Sequence, residues 1–152
     1  MSNSPKKLRL ILGDQLNINH SWYAQQDESV LYLIAELHQE SNYVRHHIQK
    51  LCGFFAAMSE FANDLSNLGH QVLHLTLDDT AEFSDLNALI AKLCDQQGIE
   101  TFEYQHPEEY RLAEQLKSLD LGSQTTINCF DSEHFLLTIE ELPKYLNAGK
   151  HN

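Results

Sequence analysis

The sequence predicts a three-layer, Rossmann-like α/β domain: a doubly wound sheet of about five parallel strands with helices on both faces. Three observations carry this. The segments Leu8–Leu12 and Val30–Ala35 are almost continuously apolar, as strands covered on both faces must be. Strand-like and helix-like segments alternate along the chain, the pattern of a parallel sheet with right-handed crossovers. Between residues 47 and 68 the apolar residues recur at helical spacing, giving one face for a core and one for water.

Taken in order, Leu8-Arg9-Leu10-Ile11-Leu12 is ended as a strand by Gly13-Asp14. The polar stretch from Asn17 to Ser29 has room for a short helix near Trp22-Tyr23. Val30–Ala35 is the second strand. A long helix follows, capped by Ser41 or Asn42 and closed by Gly69. Its apolar face is His47, Leu51, Phe54, Met58, Phe61, Leu65 and Leu68, with His47 read as a hydrogen-bonded core histidine and His46 as solvent-facing. Gln71 to Leu77 is the third strand. Ser84 caps a helix through Leu86, Leu89, Ile90 and Leu93, closed by Gly98. Thr101 to Gln105 is a fourth strand stopped by Pro107, and Glu108 to Leu119 is a helix with acidic residues in its first turn, as the macrodipole favours. Thr125 to Phe130 is the fifth strand. Thr138 to Leu146 is a last short helix, in which Pro143 fits only within the first turn. There is no repeat, no low-complexity segment and no inner boundary, so residues 1–152 read as a single domain.

Composition narrows the function classes. The formal net charge is −12 with ten Lys and Arg, so the chain alone lacks the basic face that displaces counterions from phosphates. No apolar run reaches the roughly 18 residues of a membrane span. The polar start, Met1 to Lys7, lacks the apolar stretch of a secretory signal, and a cytoplasmic location is expected. Cys52, Cys94 and Cys129 have no metal-type spacing and read as buried, reduced thiols.

In a doubly wound sheet, ligands bind outside the carboxyl ends of the strands where the strand order reverses. Three loops belong there: Gly13-Asp14-Gln15-Leu16, Glu36-Leu37-His38-Gln39-Glu40 and His106-Pro107-Glu108-Glu109-Tyr110. Glycine at position 13 leaves room for a flat ligand, and Asp14 and Gln15 offer acceptors and donors. An aspartate after a strand-ending glycine is equally a common turn residue, and Glu36 and Glu40 are equally two surface glutamates. Gly13 stands alone, without the glycine-rich dinucleotide or phosphate-loop fingerprints. His46 and His47 are adjacent, which rules them out as a metal pair on one helix face.

The stretch Leu10-Ile11-Leu12-Gly13-Asp14-Gln15-Leu16 resembles the opening of the photolyase-related proteins, the prokaryotic iron–sulfur branch of the photolyase/cryptochrome family. Glu36 with Glu40, Tyr43-Val44-Arg45-His46-His47, Phe55-Ala56-Ala57-Met58, Gly69-His70-Gln71-Val72, Pro107-Glu108-Glu109-Tyr110-Arg111 and Ala148-Gly149-Lys150 are similar in order and spacing, over about residues 8 to 150. The resemblance implies an amino-terminal antenna domain holding dimethyl-ribityl-lumazine, with Gly13, Asp14, Gln15, Glu36, Glu40, Tyr43 and Phe54 as its site. Glu40 would hydrogen-bond the ring, Glu36 and Tyr43 would flank it, and Phe54 would pack on it. FAD, a four-iron cluster and contact with DNA would belong to a helical carboxyl-terminal domain that this chain lacks, its partner in the full-length protein. The segment Arg45 to Lys50 is less basic than is usual in that family. Two further readings stand beside this one: a chromophore-free structural or docking domain, and a stand-alone Rossmann-like nucleotide-binding protein.

Overall fold

The computed structural model describes residues 4–38, 47–138, 140–146 and 149. Five strands, β1 (Lys7–Ile11), β2 (Val30–Ala35), β3 (Gln71–Leu75), β4 (Thr101–Gln105) and β5 (Thr126–Phe130), form one sheet in the order β3-β2-β1-β4-β5. Every pairing is parallel. The chain builds outward from β1 to β3, then returns to the other side of β1 to add β4 and β5. The expected doubly wound α/β sheet is therefore the fold, and its switch point lies between β1 and β4.

Side-chain alternation along the strands feeds two cores. On one face Leu8, Leu10, Leu33 and Phe102 pack with Leu86, Leu89 and Ile90 of α3 (Leu86–Gln97) and Leu116 of α4 (Tyr110–Lys117). On the other face Ile11, Val30, Tyr32 and Ile34 pack with Met58, Phe61, Ala62 and Leu65 of α1 (Ile48–Asn67) and with Trp22 and Tyr23 of a single 3-10 turn, Ser21–Tyr23. Gly69 and Gly98 follow α1 and α3 with φ of 89° and 64°, the left-handed turns that glycine tolerates.

Several boundaries differ from the sequence reading, each for a local reason. Among the described residues α1 begins at Ile48, and His47 is its N-cap: the ring Nδ1 accepts from the Gln49 N–H at 3.2 Å. His47 is exposed, so it is a cap and not a core histidine. The expected caps Ser41 and Asn42, and His46, lie outside the described residues. β3 stops at Leu75, because the Asp79 carboxylate accepts from both the Thr76 N–H and hydroxyl (2.8 Å each) and winds Leu77–Thr80 into one helical turn, α2. Asp85, not Ser84, caps α3 by accepting from Ala88 N–H at 2.9 Å. The fourth helix is shorter than expected, starting after Glu109 and ending at Lys117. The final helix is the single turn Leu142–Tyr145, α5, with Pro143 in its first turn; a proline has no N–H with which to continue a helix begun at Thr138. Cys94 is buried, its thiol pushed up to about 11 by burial, but Cys52 and Cys129 are exposed, so two of the three expected buried thiols are not buried.

One charge sits inside the α1-side core. Arg9, on the central strand, donates to the Glu103 carboxylate at 2.7 Å and to the Tyr32 hydroxyl at 3.0 Å, with its guanidinium 4.9 Å from the Trp22 ring centre. Glu103 is 4% exposed and faces Arg9 in register. Lys7 Nζ is also 3.5 Å from the Glu103 carboxylate, so removing Arg9 leaves a buried charge on that longer contact alone, and losing the close partner of a buried pair is costly. Arg9→Met is expected to lower unfolding stability by about 3 kcal/mol in urea denaturation, and Arg9→Met with Glu103→Leu to recover most of the loss.

Candidate functional site

The switch point is built from the loops that leave β1 and β4. The first is a tight turn in which Gln15 N–H donates to Leu12 O at 2.9 Å. The Gln15 side chain, 1% exposed, closes the turn from inside by accepting from Leu12 N–H at 3.1 Å. Its amide nitrogen reaches Gln105 O at 3.3 Å and His106 O at 3.4 Å. Gln15 thus fastens the end of β1 to the end of β4, and its amide is used within the chain.

Gly13 is buried between these loops and the start of α1. Its φ is not positive; the demand for glycine is one of space. A Cβ at this position would overlap the ring of Phe54, a half-buried residue of the second turn of α1. Gly13 and Phe54 are therefore brought together, on the α1 side of the sheet.

Asp14 is exposed as a residue, but neighbouring loops crowd its carboxyl. Desolvation, followed by the nearby Glu108 and Glu109 carboxylates, raises its pKa above the ordinary value, against the pull of its own backbone hydrogen bond and of His134. The groups opposite belong to the loops after β4 and β5: His134 Nδ1 is 2.6 Å from Glu108 Oε1. The loop after β5 is also held to the β1–β2 connection. His20, 2% exposed, accepts from Trp22 N–H through Nδ1 (3.1 Å) and places Nε2 3.0 Å from Asp131 O. Glu133, at φ 58°, accepts from Ser21 N–H at 3.0 Å, which holds its pKa low despite partial desolvation. Glu108 belongs to a loop that the sequence places at the crevice, but His20, Glu133 and His134 were not singled out from the sequence, since their partners come from loops more than 20 positions away.

Glu36 lies one strand further, at the end of β2 on the same face as Gly13. It is 8% exposed, accepts from Leu77 N–H of α2 at 3.1 Å and sits 3.5 Å from His74 Nε2. Its carbonyl accepts from the Thr80 hydroxyl at 2.6 Å. Glu36 thereby anchors α2 to the β2–β3 edge. Glu40 and Tyr43 lie outside the described residues. Among the described residues no group of three or more His, Cys, Asp or Glu is placed to hold a metal ion, and no helix is long and apolar enough to cross a membrane. A separate cavity of about 560 Å³ lies at the opposite edge of the sheet, beside Cys94, Asp95, Glu100, Asp120 and Gly122.

The family model described as deoxyribodipyrimidine photo-lyase-related protein matches residues 9–152. A (6-4) photolyase of Agrobacterium fabrum is 27% identical over 111 residues, covering 72% of this chain and 22% of that protein. The chain thus spans about a fifth of the length of that relative.

Two outcomes follow from the geometry. Gly13→Ala is expected to destabilise by about 1–3 kcal/mol through overpacking, and Phe54→Ala in the same chain to relieve most of that clash, as a double-mutant cycle in urea measures. Asp14 has a raised folded-state pKa, so the folded chain holds its proton more tightly, and stability falls as pH rises from the ordinary carboxylate value through the folded one. Asp14→Asn is therefore expected to raise the thermal midpoint at pH 7, with the gain disappearing below the ordinary carboxylate pKa.

Proposed function

Because this chain belongs to the deoxyribodipyrimidine photo-lyase-related family, we propose that it is the antenna-chromophore-binding domain of a photolyase-related flavoprotein, with dimethyl-ribityl-lumazine as its ligand. The observation that carries this reading is the Gly13–Phe54 contact at the carboxyl end of β1. The Phe54 ring fills the space over Gly13, and its half-buried outer face is an aromatic surface at the switch point on which a planar heterocycle stacks.

The chain's own residues fit that ligand. Phe54, seated against Gly13, supplies the flat apolar wall. Asp14, exposed at the rim, accepts hydrogen bonds from the hydroxyls of a ribityl tail. Gln15 keeps both loops at fixed separation, and Glu40 and Tyr43 remain the expected ring contacts. When bound, the lumazine would supply blue-light absorption. Its transfer to FAD, a four-iron cluster and light-driven DNA repair or blue-light sensing would require the carboxyl-terminal helical domain expected of the full-length protein, which would also be the route to DNA.

The rim argues against the nucleotide-binding alternative. Asp14, Glu108 and Glu109 place carboxylates where a phosphate would have to sit, and like charges there oppose it. The docking-domain reading has its own support in Phe135, Leu136, Tyr145 and Leu146, large apolar side chains that are 56–104% exposed. The two roles are compatible in one domain.

Adding dimethyl-ribityl-lumazine to the purified chain is expected to give saturable one-to-one binding, seen as a shifted blue absorbance and as quenching of Trp22, the single tryptophan. Phe54→Ala, which removes the stacking surface without crowding Gly13, is expected to abolish it. A colourless chain with unquenched Trp22 at saturating dye would leave the docking role alone.

A further inference from the structure

The two edges of the sheet are not alike. β3 has four of its five residues half-buried, whereas β5 has four of its five exposed: Thr126, Asn128, Cys129 and Phe130. Among the described residues β5 pairs with β4 alone, in continuous register without a bulge. The first and last bonds of that pairing fix which backbone groups it uses. Thr126 N–H donates to Glu100 O at 2.9 Å, and Phe130 O accepts from His106 N–H at 2.8 Å. Thr126, Asn128 and Phe130 therefore turn their backbone groups to β4, and Ile127 and Cys129 turn theirs outward.

A free strand edge is a template for another strand, and folds guard such edges with lysine, proline, a bulge or a covering segment. Among the described residues β5 carries none of these guards. From Leu121 to Phe130 the sequence has no Lys, Arg, Asp, Glu or Pro. In a chain of net charge −12, this uncharged strip lets a second negatively charged molecule approach without like charges meeting at the contact.

We propose that β5 is an interaction edge whose occupant is β5 of a second copy of this chain, paired antiparallel about a two-fold axis through Asn128. A two-fold contact closes, so each copy uses its edge once and no filament grows. Ile127 then faces Cys129 of the second copy, and the two exchange both N–H···O bonds; symmetry repeats the pair. Between these pairs Asn128 faces its own copy as a close, non-hydrogen-bonded pair, with Cα atoms about 4.5 Å apart. Its exposed carboxamide carries both donor and acceptor, so the two copies satisfy each other. On the same face Thr126 lies opposite Phe130, which is 39% exposed, a β-branched and aromatic pair of the kind that stabilises sheets. An extended segment of another protein would supply the backbone bonds without this matching of side chains.

Sedimentation equilibrium of the full chain, carried to millimolar concentration, tests the pairing. The mass is expected to rise from 17.5 kDa toward twice that value. The rise is expected to be larger at higher salt, which screens repulsion between copies of net charge −12. Asn128→Lys and Asn128→Asp each set like charges face to face on the axis, and each is expected to weaken association about ten-fold or more. Because Asn128 is exposed, the thermal midpoint of either variant is expected to change little. An equimolar mixture of the two variants sets opposite charges on the axis and is expected to restore association. A chain that keeps a mass of 17.5 kDa at millimolar concentration would overturn the proposal. So would undiminished association of both variants, or a mixture no more associated than its components.

Discussion

The arrangement depends on the reversal of strand order between β1 and β4, and on the side chain that spans it. A parallel sheet wound outward in both directions separates two loops at this point and opens a crevice between them. Gln15 fixes its width by accepting from its own turn at Leu12 and donating to the carbonyls of Gln105 and His106. Three hydrogen bonds through one amide, two of them buried, make the separation a property of the fold. Gly13 and Asp14 sit in the turn so fixed, and Gln105 lies in the strand end to which it is fixed.

Around this fastening, charge and space are divided by face and depth. Arg9, at 2.7 Å, and Lys7, at 3.5 Å, both face the buried Glu103 carboxylate in the middle of the sheet, so the charge in the α1-side core is paired. Above them, aromatic rings dominate: Tyr23, Tyr32, Trp22 and His70 meet edge-on or tilted at 5.3–6.4 Å with their neighbours. At the rim the sign is negative, through Asp14, Glu108 and Glu109, moderated by His134. An apolar, aromatic wall with a buried amide below and carboxylates above suits an uncharged ring bearing hydroxyls better than a phosphorylated ligand.

The parts of this fold that were legible in the sequence are those governed by local rules. Leu8–Leu12 and Val30–Ala35 betrayed two-sided burial by their continuous apolarity, and Gly69 and Gly98 marked helix ends because only a left-handed residue fits there. The parts that were not legible depend on partners distant in sequence. Nothing near Arg9 announces Glu103, 94 positions on, and nothing near Gln15 announces the carbonyls of residues 105 and 106. His47 has the spacing of a core residue, yet spacing does not locate a helix start, and its ring serves as a cap. In the site, the Gly13–Gln15 turn was readable from a strand-ending glycine. The reason for that glycine, the Phe54 ring, emerges only when the strands are assembled.

The ligand proposed for this domain lies at the carboxyl ends of β1 and β4, on the α1 side. Backbone amide chemical shifts recorded with and without dimethyl-ribityl-lumazine locate it, with perturbations expected to concentrate at Gly13, Asp14, Gln15, Phe54 and Gln105. Perturbations confined instead to the cavity beside Cys94, Asp120 and Gly122 would contradict that placement.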